Sequence, residues 1–415
     1  MKKKKMWYVI MGLVVLVMFV CGAGFMLKNN GIEEKDFLHV ENGNLVTEDG
    51  RAVLLQGVNL GGWLIQESWM TPVNGEDRKW ANLDTLEVLE SRFGYDKTAN
   101  LVKTYQDNWI TEWDIENIAN MGCNVIRVPF WYRNFMKDEQ GTWITENMDE
   151  NPGFQRLDWI IEQAGKNDMY VILDMHGCPG GQSMDHCCGT LCRNDLYTDV
   201  NCQNIMELLW SVIAARYKDN PVVAAYDIMN EPQNNSGYEG EHSYDPWQSE
   251  SWEMTNQIYD HMIKAIREID SRHVITVEGI WRVSNLPDPA TVGWENVMYQ
   301  THLYDDDANF EIQTQAMADT VAKYGVAGYI GEFQNLNGIE MCQVRNLNWT
   351  TWTYKGTDSD ADGFFWYFGR DVWDADVQND TYEMILAKWG EVLKTENFRE
   401  KKMVTHKIGE ALQKE

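Results

Sequence analysis

Positive charge is scarce in this chain: 35 lysines and arginines stand against 64 aspartates and glutamates in 415 residues, a formal net charge of -29. A body of that sign repels polyanions, which excludes nucleic acid as a partner and favours a neutral ligand. Internal repeats and low-complexity segments are also lacking, so neither a repeat architecture nor a disordered body is expected. Aromatic residues, by contrast, are plentiful. The 19 tryptophans and 18 tyrosines are many for a soluble chain; most are expected in the core, but flat aromatic faces are also what a sugar ring packs against.

A long uncharged apolar run occurs once, from Met6 to Leu27, directly after four lysines at positions 2 to 5. Such a run can span a bilayer, and the lysines predict that it starts inside and exports the rest of the chain. Cys21 and Ala23 offer a small-residue cleavage site, so a secreted form and a membrane-anchored form are both expected outcomes, each extracellular. The chain then divides into residues 1–35, a signal or anchor with a short linker, residues 36–398, one catalytic-sized domain, and residues 399–415, a charged tail read as a peripheral or frayed helix. Of eight cysteines, Cys178, Cys187, Cys188, Cys192 and Cys202 crowd one stretch. Export predicts at least one disulfide among these five, with no pairing assignable and an odd thiol left over outside the apolar run.

Alternating residues around Asn42-Gly43 and Asp49-Gly50 predict a small N-terminal β-hairpin cap. Beyond it, short apolar or β-branched runs alternate with helical patterns. The runs are Val53–Asn59, Asn124–Phe130, Tyr170–His176, Val222–Asn230, His273–Gly279, Val297–Tyr304, Val326–Phe333 and Gly363–Phe368. Eight such units predict an α/β fold, a (β/α)8 TIM barrel, whose active site sits where the strands end. Polar residues collect there: Arg127, His176, Asn230, Glu231, His302, Tyr304, Glu332 and Trp366. Buried unpaired they would be costly, so they should face one another in a pocket.

Two carboxylates across a pocket suit glycosidic cleavage, one protonating the leaving oxygen and the other meeting the cationic sugar. Glu231 is read as the acid/base and Glu332 as the nucleophile, about 5 to 5.5 Å apart as in a retaining mechanism. Arg127 and Tyr304 are expected to hold Glu332, and His302 to help orient the pair. Gly331 is expected to leave room for the sugar beside Glu332. No cofactor and no metal are called for.

Together, Met229-Asn230-Glu231-Pro232, Ile330-Gly331-Glu332-Phe333, Ile126-Arg127-Val128-Pro129, Asp174-Met175-His176-Gly177, His302-Leu303-Tyr304 and Trp366 resemble glycoside hydrolase family 5. That family comprises retaining β-glycosidases, among them cellulases, mannanases and glucanases, and its acid/base and nucleophile fall on Glu231 and Glu332. Gly57-Val58-Asn59-Leu60-Gly61-Gly62-Trp63-Leu64 and the segment from His176 to Ser183 are similar to its exo-β-1,3-glucanase branch. The resemblance implies that Glu67 and Asp185 hold the non-reducing sugar, with Trp63 and Trp366 as further substrate contacts, and that the partner is a β-glucan oligo- or polysaccharide met by a monomer. The cysteine-rich stretch departs from the branch, which leaves endo-β-1,4-glucanase or another β-glucanase activity as the alternative. Two other classes are a non-catalytic carbohydrate-binding barrel at the cell surface and a metal-dependent hydrolase built on His176, His186 and the cysteines.

Overall fold

The computed structural model describes residues 35–73, 80–235, 243–357, 364–368 and 374–413. The apolar run Met6–Leu27 lies outside them; among the described residues no helix is long and apolar enough to cross a membrane.

The N-terminal cap is a three-stranded antiparallel sheet of β1 (His39–Glu41), β2 (Asn44–Val46) and β3 (Ala52–Val53). Asn42 and Gly43 both take positive φ between β1 and β2, as a tight hairpin turn requires. Eight parallel strands then close a barrel: β4 (Gln56–Asn59), β5 (Val125–Trp131), β6 (Tyr170–Gly177), β7 (Val223–Asp227), β8 (Val274–Glu278), β9 (Val297–Leu303), β10 (Ala327–Phe333) and β11 (Asn348–Thr351), with β11 pairing both β10 and β4. Helices on the outside explain why strands such as Tyr170–Gly177 are buried at every position, since a parallel sheet is covered on both faces. The helix Pro152–Lys166 shows how the sequence sets this up. Asn151 caps it by accepting the Gly153 N–H, proline occupies its first turn, and Phe154, Leu157, Ile160, Ile161 and Ala164 form the buried stripe that lies on the barrel.

The eighth strand differs from expectation. Gly363–Phe368 is not in the barrel: its described part contains β13 (Trp366–Phe368), which pairs with β12 (Lys355–Thr357) and β14 (Arg399–Glu400) in a separate sheet. The true eighth strand, Asn348-Trp349-Thr350-Thr351, is short and polar because its side chains tie the barrel internally. Asn348 accepts the Leu55 N–H and donates to the Gly328 carbonyl, and Thr350 donates to the Gly331 carbonyl. Such a strand has no apolar run to betray it.

The segment after residue 398 holds the expected helix, packed rather than frayed. It supplies β14 and the helix Lys402–Leu412, whose Val404 and Ile408 are fully buried.

Candidate active site

Arg127, on β5, is the hub of the barrel mouth. It is wholly buried, and its guanidinium reaches five acceptors: Asp227 Oδ2 at 2.8 Å, Asn59 Oδ1 at 3.0 Å, Glu332 Oε1 at 2.8 Å, Asn230 Oδ1 at 2.9 Å and Asp174 Oδ2 at 3.1 Å. Asp174 and Asp227 stand side by side on β6 and β7. Burial pushes each up to about 7, with the Arg127 charge opposing. One cation facing three carboxyls thus does not confront three full negative charges.

Glu332 lies on β10 next to a register shift between Ile330 and Glu332 that sets it opposite His302 of β9. Each of its oxygens has a donor, Arg127 on Oε1 and the Tyr304 hydroxyl on Oε2 at 2.7 Å. Gly331 does not make room for a sugar as expected. A Cβ there would meet Gln300 Oε1 at 2.1 Å and His302 Nε2 at 2.9 Å, so the space left by the missing side chain is taken by these two residues.

Glu231 follows β7 in a left-handed conformation, φ 39°, a costly geometry for a residue with a side chain. The strain is held by Glu278, the last residue of β8, whose Oε2 accepts the Glu231 N–H at 2.7 Å. The Glu231 carboxyl takes His302 Nδ1 at 3.0 Å on Oε1, and Asn234 Nδ2 at 3.2 Å and the Cys187 thiol at 3.6 Å on Oε2. Burial raises its pKa above the usual carboxylate range; Asp185 adds to this, while His176 and the hydrogen bonds from Asn234 and Cys187 oppose it.

Burial lowers His302 to about 3, so the ring is neutral and carries its hydrogen on Nδ1 if it donates to Glu231. One ligand-type atom from each of Glu231, His302 and Glu332 lies within 4.8 Å of the others. The Glu231 and Glu332 carboxylates therefore approach to within 4.8 Å. The same trio is the one group of three His, Cys, Asp or Glu atoms that could hold a metal ion among the described residues, but its members already engage one another, Arg127 and Tyr304.

His176 is lowered to about 4, by burial first. Its Nδ1 meets Asp174 Oδ2 at 2.8 Å, its Nε2 meets the Asn230 amide at 3.4 Å, and its ring stacks on Trp352 with centroids 5.4 Å apart. Glu67 is buried with one oxygen on Trp69 Nε1 at 2.8 Å and the other unpartnered. Burial pushes it up to about 8, the charges of Glu332 and Glu231 adding and that of His186 opposing, which sets it at the same pocket. Asp185 faces His186 at 2.6 Å and is close enough to raise Glu231.

Two expected sugar contacts are elsewhere. Trp63 is 1% exposed, its Nε1 donates to the Gln106 carbonyl and its ring packs edge-on against Trp159, so no face is left for a ligand. Trp366 packs edge-on against Trp113 in the side sheet. The tryptophan that does follow the eighth strand is Trp352, which sequence reasoning misses because that strand has no apolar run. Glu278 is missed too, although Val-Ile-Thr-Val-Glu-Gly carries the same signal, an apolar run closed by a carboxylate, that picks out Glu332. The cysteine-rich stretch is also not stapled: all seven described cysteines are free. Hydrogen bonds hold it instead, with the Gln182 amide bridging Cys178 N, the His176 carbonyl and the Asn230 carbonyl, and Tyr197 donating to the Gln182 carbonyl.

The chain is similar to a beta-xylosidase of Phanerodontia chrysosporium, 30% identical over 275 residues, covering 65% of this chain and 52% of that protein. It is also similar to a glucan 1,3-beta-glucosidase of Blumeria graminis, 31% identical over 188 residues, covering 43% and 41%. The chain thus spans about half the length of the curated relatives it matches. Among solved structures, a beta-glucanase of Saccharophagus degradans shares the fold at a TM-score of 0.52 and 17% identity, covering 88% of this chain and 95% of that one. The family model described as Cellulase (glycosyl hydrolase family 5) matches residues 82–370, which span every site residue named above except Asn59, Trp63, Glu67 and Trp69, and this chain belongs to that family.

Proposed function

We propose that the chain is a retaining β-glycosidase of β-glucans, with exo-hydrolysis of β-1,3-linked glucan favoured and endo-β-1,4-glucanase action as the alternative. The observation that carries this is the approach of Glu231 and Glu332 oxygens to within 4.8 Å around His302, which fits the roughly 5 to 5.5 Å of retaining pairs better than the roughly 6.5–9.5 Å of inverting ones.

In this reading Glu332, held by Arg127 and Tyr304, attacks the anomeric carbon. The glycosidic bond breaks and the leaving oxygen takes the Glu231 proton, for which the raised pKa suits Glu231. A water molecule then gives a proton to Glu231 and its oxygen to the anomeric carbon, releasing Glu332 with retained configuration. Asn230 and His176 orient the sugar from the floor, while Glu67, Asp185 and the loop carrying Cys187 crowd one side of the pocket and favour binding of a chain end. The names of the two relatives support a β-linked substrate. The lysine block and apolar run support an extracellular enzyme, secreted or anchored.

The test is hydrolysis of laminarin, lichenan, carboxymethylcellulose and aryl β-glucosides and β-xylosides, with product anomers followed by NMR. The β-anomer should form first, and Glu332→Gln should abolish turnover. Initial release of the α-anomer would reject the retaining mechanism, and full activity in Glu332→Gln would reject the nucleophile.

A further inference from the structure

The loop after β6 is crowded with cysteines whose thiols are free, and one of them stands at the reacting pair. Cys187 is 8% exposed, and its Sγ lies 3.6 Å from Glu231 Oε2, within the reach of a thiol donor. Burial first, and then the charges of Glu231 and Asp185, push its pKa well above the ordinary thiol value. Cys187 therefore keeps its hydrogen, and against a carboxylate oxygen it is the donor.

The loop is built to keep this contact. Asp185 caps the short turn His186–Cys188 by accepting the Cys187 N–H at 3.3 Å, and Gly189 ends it in a left-handed conformation, where a Cβ would stand 2.8 Å from Trp131 Nε1. The Cys188 thiol is enclosed by the Ser183, Asp185 and Thr190 carbonyls. Two further bonds tie the loop to the segment that carries Glu231: the Gln233 N–H donates to the Gln182 carbonyl at 2.8 Å, and the Met184 N–H to Asn235 Oδ1 at 3.1 Å. Cys187 and Glu231 are thus fixed relative to each other. The weakness of the donor matters as much as its place. Glu332 has to stay ionised and takes strong donors, Arg127 and Tyr304. Glu231 has to give up a proton and regain it, and a strong donor on Oε2 would hold it ionised. A thiol is a weak donor, so it fixes that oxygen at little cost to the protonated form.

We propose that Cys187 is a positioning residue for the acid/base, its thiol holding Glu231 Oε2 from the cysteine-rich loop and favouring the ionised carboxylate slightly. This rests on the glycosidase reading above. The other charged groups around Glu231 come from several elements: Glu278 on β8, His302 on β9, Glu332 on β10, His176 on β6, Asp185 and His186 beside Cys187, and Glu67 after β4. None of them is altered by a change at 187, so a shift in the titration of Glu231 there reports the thiol. The sign follows from the donor. Its bond opposes the rise in the Glu231 pKa, so removing it raises that pKa further and the protonated acid persists to higher pH.

The experiment has a kinetic and a spectroscopic arm, both on the full chain. In Cys187→Ala the alkaline limb of kcat/KM on an aryl β-glucoside should move to higher pH by about half a unit, as loss of a weak hydrogen bond to a carboxylate requires, while the acid limb stays in place. The S–H stretching band of Cys187, isolated as the infrared difference between wild type and the alanine variant, should lie below that of a thiol without an acceptor and rise in Glu231→Gln, whose neutral amide accepts more weakly. Should the alanine variant not fold, Cys187→Ser supplies the difference spectrum. An unmoved alkaline limb in folded Cys187→Ala, or an S–H band indifferent to Glu231→Gln, would overturn the positioning role while leaving the glycosidase reading intact. A wild type inert on every β-glycoside would overturn the glycosidase reading, and with it the role of Cys187, whatever the S–H band shows.

Discussion

Replacing Glu278 with glutamine should leave the alkaline limb of kcat/KM in place. Glu231 and Glu278 reach the same His302 Nδ1, at 3.0 and 3.5 Å, so their nearest oxygens lie within about 6.5 Å of each other. At an effective dielectric constant of about 20, two charges that far apart would repel by about 2.5 kcal/mol, which keeps the two from ionising together. Burial pushes both carboxyls up, Glu278 further still because of the Glu231 charge, so the pair loses its protons in two separated steps, Glu231 first. With Glu231 as the acid/base, the alkaline limb follows loss of its proton. Glu278 is still neutral at that point, so a residue that is neutral at every pH removes no repulsion and the limb does not move. Glutamine keeps an oxygen for the Glu231 N–H, so the left-handed turn should survive and Tm should change little. The assay is kcat/KM against pH on an aryl β-glucoside, with Tm measured beside it. An alkaline limb moved toward acid in a folded variant would refute the reasoning, because it would mean that Glu278 is ionised while Glu231 still holds its proton.

Tyr304→Phe removes one hydrogen bond to a charged oxygen of Glu332, a change worth about 1.5–3 kcal/mol; kcat/KM should fall about ten- to a hundredfold with Tm nearly unchanged, and a loss under twofold would contradict it. Glu67 is raised by burial from 4.5 to about 8, so its neutral form stabilises the fold below its unfolded pKa and that contribution is lost as pH rises through about 8. Glu67→Gln should therefore gain Tm relative to wild type at alkaline pH and match it at acid pH, and an equal Tm difference at both would be inconsistent with that window. Arg127→Met leaves Asp174, Asp227 and Glu332 without their shared cation, and a broken buried pair costs about 3–5 kcal/mol; the unfolding free energy from denaturant titration should drop by that much, and a stable variant would show that the carboxyls are neutral without it. Thiol titration of unreduced, denatured protein should find Cys123, Cys178, Cys187, Cys188, Cys192, Cys202 and Cys342 all free, whereas a count lower by two would mean a disulfide.

The barrel was legible in the sequence because seven of its strands are buried on both faces and must be apolar until they reach the mouth. There each run is broken by a residue that needs a partner: Arg127, His176, Glu332. Period and polarity at one position are local properties, and they pointed to these three residues at the strand ends. The cap was legible for the same reason, since Asn42-Gly43 admits few conformations other than a tight turn.

What the sequence alone did not decide are pairings between distant residues. Asn348–Thr351 closes the barrel because its polar side chains find Leu55, Gly328 and Gly331, partners that exist only once β4 and β10 flank it. The more apolar Trp366–Phe368 was a better strand by composition and pairs elsewhere. Trp63 had the composition of a sugar contact, but tertiary packing buries it against Trp159. The cysteine cluster had the composition of a disulfide framework, yet Gln182 and Tyr197 hold that loop by hydrogen bonds. Likewise the type and place of Glu231 followed from sequence, whereas its strained backbone is held by Glu278 and its raised pKa comes from burial and Asp185, because hydrogen bonding and desolvation are set by neighbours that only the closed barrel brings together.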